Sequence, residues 1–245
     1  MRTVKLTIAF EGTRYLGWQS QRNGKTVQEF LEAQLARILK EKVALHGSSR
    51  TDAGVHAKGL VAHFKTKSGL TDAKIKDALN FYLPKDIVVL ASRTASDAFH
   101  ARFSAKSKTY QYEIWNHRTR PVYDKAPYVL WVTQRLNVNL MRKAARVLVG
   151  RHDFNAFRDS GEEERRTVRH IKSLTLSTSG PSIKLRVTAD GFLKHMIRVL
   201  TGTLVEVGRG RLSIKDIETV VKSKDRKKAG PTLKPQGLTL LKVRY

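Results

Sequence analysis

One short loop places a carboxylate, an arginine and a glycine within five consecutive residues. The segment Arg50-Thr51-Asp52-Ala53-Gly54 is polar and lies between a helical and an extended pattern. An arginine next to a carboxylate favours the ionised form that a nucleophile requires. The same residue types also build turns in which aspartate bonds nearby backbone, and on residue type alone the turn is the commoner role. The loop therefore offers Asp52 as a candidate nucleophile, with a plain turn as the alternative.

Few other groups compete with this carboxylate. The chain has no cysteine, which excludes disulfides, thiolate zinc sites and cysteine nucleophiles. Gly12 to Gly17 has the two glycines of a phosphate loop, but Trp18-Gln19 replaces the required Lys and Ser/Thr. Gly208-Arg209-Gly210 lacks the third glycine of a dinucleotide fingerprint. No two of the eight histidines have metal-ligand spacing, so we expect no metal and no nucleotide cofactor.

The charge of the chain indicates a polyanionic partner. Lys and Arg number 47 against 21 Asp and Glu, a formal net charge of +26. Residues 1–104 carry 17 basic and 9 acidic residues, and the remainder carries 30 and 12. Nucleic acid is the commonest soluble polyanion. Basic runs at Arg165-Arg166 and from Lys222 to Lys228 favour a phosphate-binding surface on the second half, although a solvated charged face is the alternative.

Alternation and helical spacing divide the first half into strands and helices. Thr26-Val27-Gln28-Glu29 has the form of a capping box ahead of an amphipathic helix. Residues 46–54 are predicted to be a loop. Strands are predicted at Val4–Phe10, Leu60–Thr66 and Ile87–Ala91, and a helix at Lys74–Leu83 before Pro84.

The second half repeats a similar mixture. Strands are predicted at Thr109–Trp115, Ile171–Ser177, Ile183–Thr188 and Leu238–Val243, of which the second and third form a hairpin around Gly180-Pro181. Helices are predicted at Asn137–Val149, from Phe192 to Val207 and at Ser213–Lys222, where Ser213 is the cap. This order predicts an α+β fold with two domains, residues 1–105 and 106–245. The start of the chain has no signal-peptide pattern, and unbroken apolar runs stay near five residues, as in Ile87–Ala91. We expect no membrane segment and a cytoplasmic location.

Motifs along nearly the whole chain resemble those of the tRNA pseudouridine synthase A family. The most specific is Ser49-Arg50-Thr51-Asp52-Ala53-Gly54-Val55-His56, which is similar to the catalytic loop of that family. The others follow in the family's order: Phe10-Glu11-Gly12 with Tyr15, Gly17-Trp18-Gln19, Thr26-Val27-Gln28, Phe99-His100-Ala101-Arg102, Lys108-Thr109-Tyr110-Gln111-Tyr112, Gly150 to Phe157, Phe192 to Gly202, Ala229-Gly230-Pro231-Thr232 and Gly237-Leu238.

The resemblance implies a reaction without a cofactor, in which a uridine within RNA becomes its C-glycoside. The target base must first leave the helical stack. Asp52 is then the nucleophile, attacking either the uracil ring or the ribose C1′, and these two alternatives stay open. Tyr110 corresponds to the residue that stacks on the base and takes the C5 proton. Arg198 corresponds to the arginine that pairs with the nucleophile; without the resemblance, Tyr110 is a core aromatic and Arg198 a solvated side chain.

The resemblance also extends to binding. Arg50 corresponds to the residue that occupies the space vacated by the flipped base, while a phosphate contact or an ion pair with Asp52 is the alternative. Arg165 and Arg166 are predicted to contact RNA. His56, His63, His100 and His195 are each expected either to be structural or to form a hydrogen bond with RNA, because the chemistry needs no imidazole.

Two positions depart from the family pattern. Ser49 stands where the family usually has glycine, which questions the local backbone conformation, and Glu11 stands where it usually has aspartate.

The family has two halves of largely antiparallel character that meet in a central cleft, and it forms homodimers. Its substrate is the anticodon stem-loop of tRNA, at positions 38 to 40. A non-catalytic RNA-binding protein, such as a ribosome-associated module, would explain the charge equally well. A pseudouridine synthase with another RNA target is the nearer alternative.

Overall fold

The computed structural model describes residues 1–21, 24–122, 124–159 and 166–245. The chain forms two compact units, the first Met1–Lys106 together with Thr239–Tyr245, and the second Ser107–Leu238. The first break lies beside the predicted one at 105. The terminal segment differs, because it was predicted in the second half but belongs to the first unit.

Strands and helices alternate in both units. The strands are β1 (Arg2–Phe10), β2 (His46–Gly47), β3 (His56–Thr66), β4 (Ile87–Ala95), β5 (Ser107–Asn116), β6 (Leu130–Val132), β7 (Gly150–Asp153), β8 (Val168–Ser179), β9 (Ser182–Ala189) and β10 (Leu238–Arg244). The α-helices are α1 (Val27–Leu39), α2 (Asp72–Tyr82), α3 (Val138–Val147), α4 (Met196–Gly208) and α5 (Ile214–Ser223).

The sheet of the first unit has the order β4-β1-β3-β10, and β2 pairs with β3. The pairs β1–β3 and β1–β4 are antiparallel, and β10 is parallel to β3. Apolar residues of β1, β3 and the two helices of this unit form its core. Fully buried members include Leu6, Ile8, Leu31, Leu35, Phe64, Ile75 and Leu79.

Local hydrogen bonds fix the ends of the helices, as the sequence predicts. Thr26 accepts from the Glu29 backbone N–H, and the Glu29 side chain accepts from the Thr26 N–H, so the predicted capping box is confirmed. Ser213 and Asp216 form a second capping box at the start of α5. Helix α2 ends at Tyr82, shortly before Pro84. A proline cannot continue the helical hydrogen-bond pattern, which explains the end of the helix at this point.

Helix α2 also covers part of β4, which lies at the end of this sheet. The Asn80 side chain donates to the Val89 carbonyl at 2.9 Å and accepts from the Val89 N–H at 2.7 Å. At the other end of the helix, Asp72 accepts from the Thr94 N–H at 2.5 Å. Side chains of α2 therefore form hydrogen bonds with backbone groups of β4 that would otherwise be open to a further strand.

The sheet of the second unit has the order β5-β9-β8-β7, all antiparallel, with the short β6 parallel to β5. Strands β8 and β9 form the predicted hairpin around Gly180, whose φ of 53° suits a tight turn. Helix α3 packs against α4, α5 and β8. The predicted α+β class with largely antiparallel strands is confirmed.

The structure corrects several predicted boundaries. Helix α4 begins at Met196 and not near Phe192, because His195 has a left-handed φ of 59° that a helix cannot contain. Residues 46–54 were predicted to be a loop, but His46 and Gly47 form the two-residue strand β2. Strands β6 and β7 were not predicted either. These strands have two to four residues, too few for alternation to be recognised. No α-helix among the described residues is long and apolar enough to cross a membrane.

Candidate active site

The loop that carries Asp52, residues 48–55, is here called the aspartate loop. It joins β2 to β3 in the first unit. The Val55 N–H donates to the Asp52 carbonyl at 3.1 Å and closes a turn, and Gly54 has the positive φ of 77° that this turn needs. The Asp52 side chain is half-buried and Arg50 is exposed. The loop thus has the turn that its residue types indicate and also leaves its carboxylate partly accessible.

A second loop, residues 11–18, lies against the aspartate loop backbone to backbone. The Trp18 N–H donates to the Thr51 carbonyl at 3.2 Å, and the Gly54 N–H donates to the Tyr15 carbonyl at 3.2 Å. These two bonds hold the aspartate loop on both sides of Asp52. We call residues 11–18 the supporting loop.

Two glycines allow this close approach. A Cβ atom at Gly17 would lie 2.2 Å from the Thr51 carbonyl oxygen, and Gly17 also has a φ of 92°. A Cβ atom at Gly12 would lie 2.1 Å from the Val55 carbonyl oxygen. Because both oxygens belong to backbone, no side-chain rotation can relieve such a contact. Glycine at these positions is therefore required by the geometry around Asp52.

Asp86 fixes the far side of the supporting loop. Its carboxylate accepts from the Tyr15 hydroxyl at 2.6 Å and from Arg14 Nε at 2.9 Å. Burial alone would raise the pKa of the Asp86 carboxyl, but the hydrogen bonds from Tyr15 and Arg14 hold it below its usual range. Burial, followed by the hydrogen bond to Asp86, raises the pKa of Tyr15. Tyr15 therefore remains a neutral donor that anchors the loop.

His56 lies inside the first unit, where it is 2% exposed. Its Nδ1 accepts from the Gly12 N–H at 3.0 Å, so the neutral ring carries its proton on Nε2. Glu11 Oε1 lies 3.5 Å from the same nitrogen. The side chain predicted as a possible RNA contact thus joins the aspartate loop to the supporting loop. Burial leaves it almost no surface for a ligand.

Ser49 does not impose a strained backbone. The non-glycine residues with positive φ in the described part of the chain are Lys40, His195 and Lys224. A serine can therefore replace the family's glycine at this position without a left-handed conformation. Its hydroxyl oxygen, like that of Thr51, is buried without a hydrogen-bond partner among the described residues, and such a group costs about 1–3 kcal/mol.

Tyr110 and Arg198 lie in the second unit. Tyr110 is a buried residue of β5 whose ring packs edge-on against Phe192, with centroids 5.2 Å apart. Tyr112 is two residues further along the strand and shares its face. Burial raises the pKa of Tyr112, and the nearby charge of Arg198 opposes this rise. Arg198 therefore lies close to the face of β5 that carries both tyrosines.

The segment after α5 holds Arg198 in place. Arg198 Nε donates to the Leu233 carbonyl at 2.7 Å, and the Leu233 N–H lies 3.4 Å from the Arg198 carbonyl. Gly202 and Gly230 permit this packing, because a Cβ atom at Gly202 would lie 2.0 Å from the Pro231 carbonyl oxygen. Helix α4 is buried on nearly all sides. Arg198 is accordingly half-buried and not the solvated side chain that helical spacing alone indicates.

The remaining predicted binding residues are Arg165 and Arg166. Arg166 is exposed, and its carbonyl accepts from Arg169 Nη1 at 2.6 Å. Arg165 lies outside the described residues. Asp52, Arg50 and His56 thus belong to the first unit, whereas Tyr110, Arg198 and Arg166 belong to the second. Within the described ranges, no three His, Asp or Glu side chains are arranged to hold a metal ion.

Sequence reasoning gave no role to Gly17 or Asp86. Asp86 is separated by 71 residues from Tyr15, so nothing local in the sequence relates them. The available signal was Gly17 itself, since glycine is favoured where the backbone has a positive φ or makes a close approach.

Three histidine rings of the first unit form a cluster. The ring centroids of His63 and His100 are 4.6 Å apart, and those of His46 and His63 are 5.2 Å apart. His63 Nδ1 accepts from the Ala101 N–H at 3.2 Å. Burial, followed by the charges that His100 and His46 would carry, lowers the pKa of His63 to about 4. His63 is therefore neutral at physiological pH and acts as a structural acceptor.

Comparison with known proteins identifies the family. Residues 6–104 and 144–245 match the family described as tRNA pseudouridine synthase. The chain belongs to this family. The matched ranges include the supporting loop, the aspartate loop and Arg198, while Tyr110 lies between them.

Relatives are similar along the whole chain. The chain is 45% identical over 245 residues to tRNA pseudouridine synthase A 2 of Clostridium perfringens (strain 13 / Type A), covering 100% of both proteins. It is 43% identical, with 100% of both covered, to tRNA pseudouridine synthase A of Thermoanaerobacter sp. (strain X514). It is 45% identical to tRNA pseudouridine synthase A of Geobacter sp. (strain M21), covering 100% of this chain and 99% of that protein.

Two solved structures that match the chain are much less similar to it. The chain aligns with a Cbf5-Nop10-Gar1 complex at a TM-score of 0.36 and 15% identity, over 82% of this chain and 45% of that chain. For an archaeal box H/ACA Nop10-Cbf5 complex the TM-score is 0.38 and the identity 10%, over 92% of this chain and 59% of that chain. Similarity of this size supports no argument about the site.

The substitution Gly17→Ala tests the contact between the two loops. We expect it to displace the aspartate loop and to lower the rate of uridine isomerisation by at least about tenfold, because a misplaced catalytic group can cost on the order of 10²-fold. Single-turnover rates and tRNA dissociation constants would be measured together. Affinity should change much less than the rate.

Gly210→Ala is the matched control for that variant. Gly210 also has a positive φ, 75°, but a Cβ atom there meets nothing within 4 Å. It therefore carries the same kind of backbone strain, about 1 kcal/mol, without the contact to a carbonyl. Equal rates for the two variants would show that Gly17 is needed only for its backbone angle.

The buried His63 predicts a pH dependence of stability. An unfolded histidine has a pKa near 6.5, and the folded value is about 4. The unfolded chain therefore binds the additional proton between these values, and stability falls as the pH drops from about 6.5 to about 4, by on the order of a few kcal/mol. His63→Asn keeps an acceptor without titrating and should flatten this fall in denaturant unfolding curves. A variant with the parent's pH dependence would contradict the assignment.

Proposed function

We propose that this chain isomerises uridine to pseudouridine in the anticodon stem-loop of tRNA, at positions 38 to 40, with Asp52 as the nucleophile. The class of reaction follows from membership of the tRNA pseudouridine synthase family. The position of the target uridine rests on the resemblance to the synthase A family, and it is supported by relatives of that name that are 43–45% identical along the whole chain.

The observation that supports Asp52 is the way its loop is held. Backbone bonds from Trp18 and to Tyr15 fix the loop on both sides of the carboxylate, and Gly12 and Gly17 make that approach possible. The carboxylate itself stays half-buried, so a substrate can reach it. A rigid support around an accessible reactive group is what preorganised catalysis requires.

The reaction balances without a co-reactant. The bond between uracil N1 and ribose C1′ breaks, the detached base rotates, and C5 bonds to C1′. The proton on C5 then leaves, and N1 gains a proton, so the product has the same atoms as the substrate. Asp52 serves as nucleophile, on the ring or on C1′, and is released at the end.

Tyr110 and Arg198 are proposed to act on the same uridine. Tyr110 stacks on the base and accepts the C5 proton, and Arg198 supplies a positive charge for the nucleophile. Two observations support these roles. Tyr110 and Tyr112 share one face of β5, and the side chains of Tyr112 and Arg198 donate to the neighbouring carbonyls of Lys234 and Leu233. The hydrogen bond from Arg198 Nε to Leu233 also fixes the direction of its side chain.

The residues predicted to bind RNA differ in their exposure to solvent. Arg50 and Arg166 are exposed, which supports contact with RNA for both, and Arg50 is the residue proposed to fill the space of the flipped base. Arg165 is proposed as an RNA contact on its sequence alone. For His56 we propose a positioning role, because its buried Nδ1 connects the two loops. A homodimer is proposed on the resemblance, and a reaction without a cofactor on the resemblance and on the missing nucleotide and metal motifs. A cytoplasmic location is proposed on the sequence, which has no signal-peptide pattern and no long apolar run.

One assay tests the function as a whole. Transcripts of tRNA that carry tritium at uracil C5 should release it on incubation with the chain alone. Mapping of the product should place pseudouridine at positions 38 to 40. Release with modification elsewhere would indicate another RNA target, and tRNA binding without any release would favour a non-catalytic RNA-binding protein.

The variant Asp52→Asn tests the nucleophile. It keeps the shape of the side chain but removes its charge, so tritium release should fall by on the order of 10⁴-fold or more. Affinity for tRNA should stay within a few-fold of the parent, because phosphate contacts dominate binding. Substantial turnover by Asp52→Asn would assign the nucleophile to another residue.

A further inference from the structure

We propose that the second unit contains a separate binding site for the sugar–phosphate backbone of tRNA, in an open cleft between residues 116–118 and 133–136. The proposal rests on tRNA as the substrate. The cleft has a volume of about 790 Å³ and is lined by Asn116, His117, Arg118, Thr133, Gln134, Arg135 and Leu136. We call it the basic cleft.

The side chain of Asn116 holds the two walls of the cleft together. Its Nδ2 donates to the Val132 carbonyl at 2.9 Å and to the Gln134 carbonyl at 2.8 Å, and its Oδ1 accepts from the Leu136 N–H at 3.0 Å. Arg135 lies between the bonded residues. Its backbone is therefore fixed while its side chain remains exposed.

Two indole rings fix the opposite wall. Trp131 Nε1 donates to the His117 carbonyl at 2.8 Å, and Trp115 Nε1 donates to the Thr119 carbonyl at 3.0 Å. The Thr119 N–H in turn donates to His117 Nδ1 at 3.1 Å. Residues 116–119 are thus held on both sides of Arg118, and the cleft is formed before any ligand arrives.

The chemistry of the lining favours phosphate over other ligands. Among the described residues, the lining contains two arginines and a histidine and no carboxylate. Arg118, Arg135, Thr133 and Gln134 are all exposed, so their donors face solvent and not the protein interior. Guanidinium groups bind phosphate oxygens with well-aligned hydrogen bonds, and neighbouring polar side chains contribute further donors.

The lining residues are different from the side chains proposed to act on the uridine. All seven lining residues lie between the matched ranges 6–104 and 144–245. None of them belongs to the motifs that resemble the synthase A family. The cleft therefore adds to the RNA-binding surface without contributing to the chemistry at Asp52.

The double variant Arg118→Ala/Arg135→Ala tests the cleft. Each phosphate contact contributes about 0.9 to the slope of log Kobs against log salt concentration. We expect the slope for a tRNA transcript to become shallower by about 2. Steady-state kinetics should show the loss in KM, with kcat at saturating tRNA kept within about twofold.

Two further variants separate a local site from general charge. Arg118→Lys/Arg135→Lys keeps both charges and should retain most of the salt slope. Lys143→Ala/Arg146→Ala removes the same charge from exposed positions of α3. If this control pair lowers the slope as much as the cleft pair, affinity follows net charge and the proposal is wrong.

The outcomes also distinguish this proposal from the proposed function. If the parent isomerises tRNA and the Arg118→Ala/Arg135→Ala variant has the parent's slope and KM, only the cleft proposal fails. If the parent binds tRNA with a slope that this variant reduces, but releases no tritium, the proposed function fails and the cleft remains supported. A change of oligomeric state in the variant with an unchanged slope would assign the cleft to a second copy of the chain and overturn the proposal.

Discussion

The approach of two backbone segments governs the first unit. The carbonyl oxygen of Thr51 occupies the space that a side chain at residue 17 would need, and the carbonyl of Val55 does the same for residue 12. Backbone atoms cannot move aside as a flexible side chain can, so the contact either exists with glycine or does not exist. Everything that fixes the supporting loop, including the bonds of Asp86 and the buried ring of Trp18, therefore also fixes the position of Asp52.

The elements that sequence predicts best are those with local causes. The capping box of α1, the Ser213 cap of α5, the spacing of buried residues in α1 and the hairpin turn at Gly180 each involve residues within a few positions of one another. Boundaries set by tertiary contacts were less accessible. The start of α4 depends on the left-handed backbone of His195, and β10 joins the first unit by pairing with β3, which lies far away in the sequence. Periodicity contains no information about either.

In the candidate site, too, sequence predicts the features with local causes better than those that depend on tertiary contacts. The residue types around Asp52 allow a nucleophile, but only the resemblance separates that role from a turn, and the structure shows that the turn is present as well. His56 illustrates the limit of residue type. A histidine beside a reactive loop can face a ligand or the interior, and burial decides which, because its Nδ1 bonds the Gly12 N–H. The surroundings of Arg198 likewise depend on a segment more than 30 residues later, which helical spacing cannot reveal.

The covering of β4 by α2 has a consequence for how copies of this chain can meet. The unpaired N–H and C=O groups of an open strand edge can form hydrogen bonds with a strand of another molecule. Such pairing is a common route to fibrils and unintended oligomers. In β4, the backbone groups of Val89 and Thr94 are already hydrogen-bonded to the side chains of Asn80 and Asp72. At Val89 and Thr94, another molecule can therefore contact side chains but cannot pair with these backbone groups. At Val89 and Thr94, the β4 edge of the first unit's sheet is thereby protected from pairing with a strand of another copy.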